Sequence, residues 1–302
     1  MKLPIIQKRK YYYLFSGTLL LISVISLIAW GLKPGLDFTG GSMLQVKFNT
    51  AIVAVPTAPE ASKSLASLDL GEIQAQPVGV DGMIMRFKTV DEPTHQKVLA
   101  QLETTYKNAV SEQTFESVGP VIGQETKDKA WQAIFLASLA IVAYIAFAFR
   151  KVSRPVTSWK YGVAAIVALI HDLVIVTGLF SILGHFAGIE VDSLFITALL
   201  TILGFSVHDT IVVFDRTREN LSKRYTGDFE VVVNDSVNQT MARSINTSVT
   251  TLLVLTAMYL FGGSSTTNFA LALIAGIIFG TYSSIFIAST LIVDWYKLGL
   301  KK

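Results

Sequence analysis

The chain is 302 residues long, 51% hydrophobic and only 16% charged, with a mean hydropathy of +0.52. A soluble domain carries roughly a quarter charged residues, so this is the composition of a membrane protein. A formal net charge of +3, with no basic stripe interleaved with aromatics, excludes a nucleic-acid surface. There is no cysteine, which removes disulfides, iron–sulfur clusters, thiolate zinc sites and a cysteine nucleophile. Any chemistry falls to Asp, Glu, His, Arg and hydroxyls.

In chain order, the apolar run from Tyr11 to Leu32 is too long for the h-region of a signal peptide and has no small-residue cleavage site after it. It is expected to stay as an anchor. A helix needs about 20 apolar residues to cross a bilayer core, and six stretches qualify: 12–32, 130–149, 160–183, 191–214, 244–262 and 268–293. Lys2, Lys8, Arg9 and Lys10 precede the first. Arg150, Lys151, Arg154 and Lys160 join the second to the third, and Arg216, Arg218, Lys223, Arg224 and Arg243 follow the fourth. Lys297, Lys301 and Lys302 close the chain, while the connections 184–190 and 263–267 hold no lysine or arginine. By the positive-inside rule both termini are cytoplasmic and residues 33–129 extracytoplasmic.

Residues 33–129 are long enough for a folded domain. Met43–Phe48 alternates as a strand, Pro59–Leu68 reads as a short helix, and Glu72–Val78 and Met83–Val90 flank the turn Gly79-Val80-Asp81-Gly82 as a hairpin. Asp91 precedes a helical periodicity of Val98, Leu99, Leu102 and Tyr106, and Glu112–Val118 reads as a last strand. The order β-α-β-β-α-β is ferredoxin-like. It assembles no nucleophile, metal cluster or phosphate loop, and reads as a binding or mechanical module. The expected architecture is an α-helical membrane protein: a cytoplasmic N-terminus with the first span over 1–32, an extracytoplasmic α+β ferredoxin-like domain over 33–129, and the other five spans with a cytoplasmic C-terminus over 130–302.

A charge at a membrane-helix centre costs roughly 2.5 to 3.5 kcal/mol on insertion scales, so each one calls for a partner or a function. Asp172, preceded by His171, falls near the middle of the third span, and Asp209, preceded by His208, near the cytoplasmic end of the fourth. Arg243 opens the fifth. Arg243, Asn246, Thr247 and Thr250 share one helix face and should point into the bundle. Asp209 and Arg243 sit at similar depth, so the arginine can reach the carboxylate. Loss of water favours the neutral acid and a guanidinium favours the anion; where the two nearly balance, the group exchanges a proton near neutrality. The residues alone also allow Arg243 to snorkel among headgroups beside a capped Asp209. No cation is assigned to Asp172. Adjacent positions on a helix point about 100° apart, so neither His-Asp dipeptide readily presents two groups to one ligand, and no metal site is expected. Gly276, Gly280, Ser284 and Ala288 form a small-residue ridge for close helix packing, within the chain or against another subunit.

Four long motifs, in the right order and covering nearly the whole chain, resemble the SecD/SecF family of protein-export membrane proteins, within the resistance-nodulation-division superfamily. They are Gly35-Leu36-Asp37-Phe38-Thr39-Gly40-Gly41, Val118-Gly119-Pro120-Val121-Ile122-Gly123-Gln124-Glu125, the run Gly204 to Arg216 with Arg218-Glu219-Asn220, and Ala242-Arg243-Ser244-Ile245-Asn246-Thr247-Ser248.

The resemblance implies a SecF-type subunit that pairs with SecD, a homologous six-span partner. The two assist the SecYEG channel and the SecA motor in moving unfolded polypeptide across the bacterial cytoplasmic membrane. It implies no cofactor beyond a proton, or sodium, gradient, and it places Asp209 and Arg243 in the proton path; Asp172, His171, His208 and Asn246 are candidates for a secondary relay on the reading of the residues alone. His208 stands where many relatives are expected to carry Asn. Asp37, Gly40 and Gly41 read as a hinge, since two glycines allow a tight backbone path. The competing readings are a small-molecule exporter of the same superfamily, which would need twelve spans in one chain, and an intramembrane aspartyl protease with Asp172 and Asp209 as its dyad, whose Gly-x-Gly-Asp signature is missing.

Overall fold

The computed structural model describes residues 3–148, 156–223 and 228–300. Of the charge pattern, Lys2, Arg150, Lys151, Arg154, Arg224, Lys301 and Lys302 lie outside the described residues. The chain divides into two compact units, Met1–Lys33 with Trp131–Lys302, and Pro34–Ala130.

Among the described residues, six helices are long and apolar enough to cross a membrane. They are α1 (Arg9–Ala29), α5 (Pro120–Ala148), which begins in the second unit, α6 (Ser158–Ala187), α7 (Ser193–Lys223), α8 (Phe229–Phe261), and a sixth made of α9 (Ser264–Ser283), a π-helical turn Ser284–Ala288 and α10 (Ser289–Leu300). Three run furthest past their apolar stretches. α5 starts well before 130 and α8 well before 244, while α7 continues beyond 214 to Lys223. Hydropathy marks only the length that suits lipid, and helical hydrogen bonding continues into polar sequence until a cap stops it. Asp228, for example, accepts from the Glu230 amide at the start of α8.

Small residues let the helices close in. A Cβ on Gly178 of α6 would meet the Cα of Ser23 at 2.5 Å, and Ser26 of α1 donates to the Gly178 carbonyl at 3.1 Å. Gly276 and Gly280 of α9 bed on Ile202 and Ser206 of α7. The ridge seen in the sequence is therefore spent inside the chain. Three helices keep long apolar faces uncovered by the described residues: Leu14, Leu21, Ile25 and Ile28 on α1, Trp131, Phe135, Leu136 and Leu139 on α5, and Ile245, Val249, Leu253 and Leu260 on α8.

At the bundle end where α1 begins, polar side chains lock the chain's beginning to α8 and α10. Asn234 accepts from the Ile5 and Ile6 amides at 3.0 and 3.2 Å. Arg9 reaches Glu230 at 3.1 Å and Asp294 at 2.7 Å, Lys297 also pairs with Glu230, and Tyr13 donates to Asp294 at 2.8 Å.

The second unit opens with a four-residue helical turn, α2 (Leu36–Thr39), and continues β1 (Gly41–Phe48), α3 (Ala58–Ser64), β2 (Gln74–Val78), β3 (Gly82–Phe87), α4 (Glu92–Thr105) and β4 (Val110–Val118). The sheet is antiparallel in the order β2-β3-β1-β4, with Leu44 opposite Met85 and Phe115. Alternate residues Leu44, Val46, Phe48, Met83, Met85 and Phe87 point to one side, where Ala61 and Leu65 from the α3 region and Val98 and Leu102 of α4 complete the core. Helix α3 is shorter than the 59–68 expected, ending where Ser64 turns its hydroxyl onto the Ala61 carbonyl. Both helices are capped from sequence: the Thr57 amide donates to Glu60 at 2.8 Å, and the Thr94 amide to Asp91 at 3.1 Å.

Candidate functional site

Two acids lie inside the bundle on opposite flanks of the α7–α9 contact. Asp172 of α6 is 0% exposed. Ser206 of α7 and Ser283 of α9 donate to its Oδ2 at 2.6 and 2.7 Å, and Nδ1 of His171 sits 2.9 Å from its Oδ1. Both oxygens are therefore held, by three helices. This corrects the expectation that neighbouring His and Asp on a helix diverge: the imidazole folds along the helix surface, and both side chains stay buried.

Around the same contact, Thr210 donates to the Ser206 carbonyl at 3.2 Å and meets the Ser284 hydroxyl at 2.8 Å, and Ser284 also reaches the Ser206 carbonyl. The π-helical turn begins at Ser284. Such single turns occur often at functional sites.

Asp209 is 3% exposed. The hydroxyls of Ser244 on α8 and Thr281 on α9 face its carboxyl, yet Oδ2 and the Ser244 hydroxyl are both buried without a formed hydrogen bond. Thr281 is itself bonded to Ser248 of α8. Asp209 thus sits in a polar seam less fully satisfied than the one around Asp172.

Arg243 and Asn246 do not enter that seam. Both are exposed, as are Thr247 and Thr250, so the polar stripe of α8 faces away from the chain's own bundle. The expected inward orientation is corrected, because Ser244 and Ser248 take the inward positions and a one-residue step rotates the side chain by about 100°. Arg243 closes no ion pair with Asp209 among the described residues. His208 is likewise exposed, beside the acid rather than bonded to it. Asp172 and Asp209 share no hydrogen bond among the described residues, so a protease dyad with one shared proton is not formed.

The residues missed in the sequence are the hydroxyls Ser206, Ser244, Thr281 and Ser283. Two lay within quoted motifs: Ser206 is three residues before Asp209 and Ser244 follows Arg243.

In the second unit, Gly40 and Gly41 have φ of +69° and +119°. A Cβ on Gly40 would lie 2.9 Å from the Cα of Pro120, and one on Gly123 would lie 3.0 Å from the Gly40 nitrogen. The glycine motif next to Asp37 and the motif around Pro120 therefore pack backbone on backbone, which only glycine permits at these dihedrals.

A profile of the family described as "Protein export membrane protein SecD/SecF, C-terminal" matches residues 97–298. The chain belongs to the SecD/SecF family. The SecD/SecF "GG Motif" matches residues 25–52, which include Asp37, Gly40 and Gly41. Among SecD/SecF relatives, the protein translocase subunit SecF of Thermobaculum terrenum is 44% identical over 97% of this chain and 94% of its own length. That of Synechocystis is 40% identical over 98% and 95%. The protein translocase subunit SecDF of Bacillus subtilis is 34% identical over 98% of this chain but 38% of its own. The crystal structure of SecDF from Thermus thermophilus, a translocon-associated membrane protein, superposes with a TM-score of 0.82 at 31% identity, over 98% of this chain and 39% of that one.

Proposed function

We propose that this chain is the SecF-type subunit of the Sec protein-export machinery. With SecD, it uses the proton-motive force to help SecYEG and SecA move unfolded polypeptide across the cytoplasmic membrane. Both termini lie in the cytoplasm, and the second unit lies outside as a ferredoxin-like module that moves with the cycle. The distribution of Lys and Arg supports this orientation, and the strand order β2-β3-β1-β4 supports the ferredoxin-like reading.

The observation that carries the mechanism is the unfinished surrounding of Asp209: a buried carboxyl oxygen without a hydrogen bond, with Arg243 on the outer side of the α8 turn whose Ser244 faces inward. An arginine facing hydrocarbon is costly, so this face of α8 requires polar cover. SecD supplies that cover. The relatives named SecDF, in which a segment matching this chain makes up 38% of a longer protein, support a partner of that kind. A proton entering from outside neutralises Asp209, its charge attraction for Arg243 lapses, and α8 repacks against α7 and the partner. Each charge crossing the membrane potential contributes about 2.3 kcal/mol per 100 mV. The work per cycle is therefore small and repeated.

The test is to replace Asp209 by Asn and Arg243 by Met, separately, and follow gradient-dependent completion of translocation in vesicles that also contain SecD. Both changes are expected to abolish the stimulation. Full stimulation in both variants rejects the Asp209–Arg243 assignment.

A further inference from the structure

His171 has an unused end. Its Nδ1 faces Asp172, but its Nε2 is buried with no hydrogen-bond partner, and the ring is 4% exposed. His171 forms part of the wall of a cavity of about 340 Å³ between α1, α6 and the π-helical turn, along with Tyr13 and Ser16 of α1 and otherwise mostly apolar side chains such as Val167, Ile170 and Leu291. A water needs about 30 Å³ and two or more polar partners. The cavity has the room, and its wall is apolar apart from the edges of His171, Tyr13 and Ser16, whose two hydroxyls already bond Asp294 and Tyr282. Tyr13 in turn donates to Asp294, which pairs with Arg9 at the bundle end.

We propose that His171 and Asp172 form a second proton-holding pair, filled through this cavity from the end of the bundle marked by Arg9 and Asp294, and distinct from Asp209. Nε2, an acceptor while Nδ1 carries the proton, takes up an excess proton delivered as hydronium, whose O–H bond breaks to leave water as the new N–H bond forms. The Nδ1–H bond breaks as that proton passes to Oδ1 of Asp172, forming O–H and leaving the imidazole neutral with its proton on Nε2. The charge balances at each step, and reversal returns the proton to the cavity. The groups facing the pair are Ser206 from α7, Ser283 and the Tyr282 ring from α9, whose centroid is 6.3 Å from the imidazole, and Tyr13 and Ser16 from α1 across the cavity. None is a fixed charge. Filling and emptying therefore change the net charge of the α6–α7–α9 contact, and Asp172 protonated at Oδ1 accepts more weakly at Oδ2 from both serines.

The inference rests on the reading that an ion gradient drives the machine, and the test separates the two. Infrared difference spectra are recorded on acidifying vesicles that hold the full chain with SecD, for the wild type and for Asp209→Asn, alone or combined with Asp172→Asn or His171→Asn; the last keeps an amide N–H near the place of Nδ1 but cannot relay. A protonated-carboxyl band is expected to persist in Asp209→Asn, vanish when Asp172→Asn is added to that background, and form about tenfold more slowly when His171→Asn is added to it instead. An unchanged band on adding Asp172→Asn, or an unslowed band on adding His171→Asn, overturns the proposal; the latter decides even where Asp172→Asn does not fold. In the translocation assay, loss in Asp209→Asn with full stimulation in Asp172→Asn removes the second pair from the cycle and leaves the ion-driven reading intact. Full stimulation in both rejects the ion-driven reading, while the infrared band still decides whether the pair holds a proton.

Discussion

The contact between α6, α7 and α9 and the outward face of α8 treat polar residues in opposite ways. In the first, Asp172 accepts from two serines and meets a histidine, and the hydroxyls of Ser206, Thr210, Ser283 and Ser284 all have partners. On the second, Arg243, Asn246, Thr247 and Thr250 line up with no covering helix from their own chain. Buried polar groups are normally satisfied because leaving one unpaired costs about 1–3 kcal/mol. A membrane helix that carries a charge outward is thus complete only in an assembly. The inner contact holds the subunit together; the outer face is left uncovered by the described residues.

Stability measurements would sharpen this contrast. Asp172→Ala strands two serine hydroxyls and an imidazole N–H, and is expected to cost roughly 3 kcal/mol, seen as a lowered melting temperature in detergent. Arg243→Met in the same chain alone should change stability by less than about 0.5 kcal/mol. A comparable loss in both would mean that Arg243 is held by its own bundle. The next effect concerns close packing. Gly178→Ala drives a methyl into the Ser23 backbone and is expected to cost about 1–3 kcal/mol, whereas Gly17→Ala on α1, with nothing within 4 Å, should be neutral within about 0.5 kcal/mol. Equal melting temperatures for these two would contradict the α1–α6 approach.

The smallest effect belongs to the inter-span unit, whose two helix caps are solvated. Hydrogen bonds from Thr94 hold Asp91 below the ordinary carboxylate range, and those from Thr57 do the same for Glu60. A carboxylate lowered in the folded state contributes stability that is complete above its unfolded value and is lost as pH falls through its folded one. Amide exchange in α3 and α4 should therefore stay protected at neutral pH and loosen below roughly pH 4, with protection in the α6–α7 contact unchanged. Protection of α3 and α4 that is indifferent to acid would show that the caps contribute nothing.

Much of this was legible in the chain because it is local. Six apolar runs give six spans, and the alternation around Leu44 and Met85, the Gly79–Gly82 turn and the Asp91 cap give the element order of the small unit. Helix ends were less legible where polar sequence continues the helix, as at Pro120 and Phe229. The surroundings of the acids were legible only in part. Asp172 and Asp209 stand out as charges in apolar sequence, but their partners Ser206, Ser283 and Ser244 are residue types common in any membrane helix and become meaningful only when three helices converge.

The sequence by itself determined that the chain spans a membrane, how many times, and which residues cannot rest in lipid, because length, apolar content and charge are properties of each segment alone. Only the tertiary structure decided which way each helix is turned. It put Ser244 inward and Arg243 outward, and folded His171 onto Asp172. A polar stripe fixes which residues share a face, and the rotation of that face toward the bundle or toward a partner is set by the neighbours it packs against.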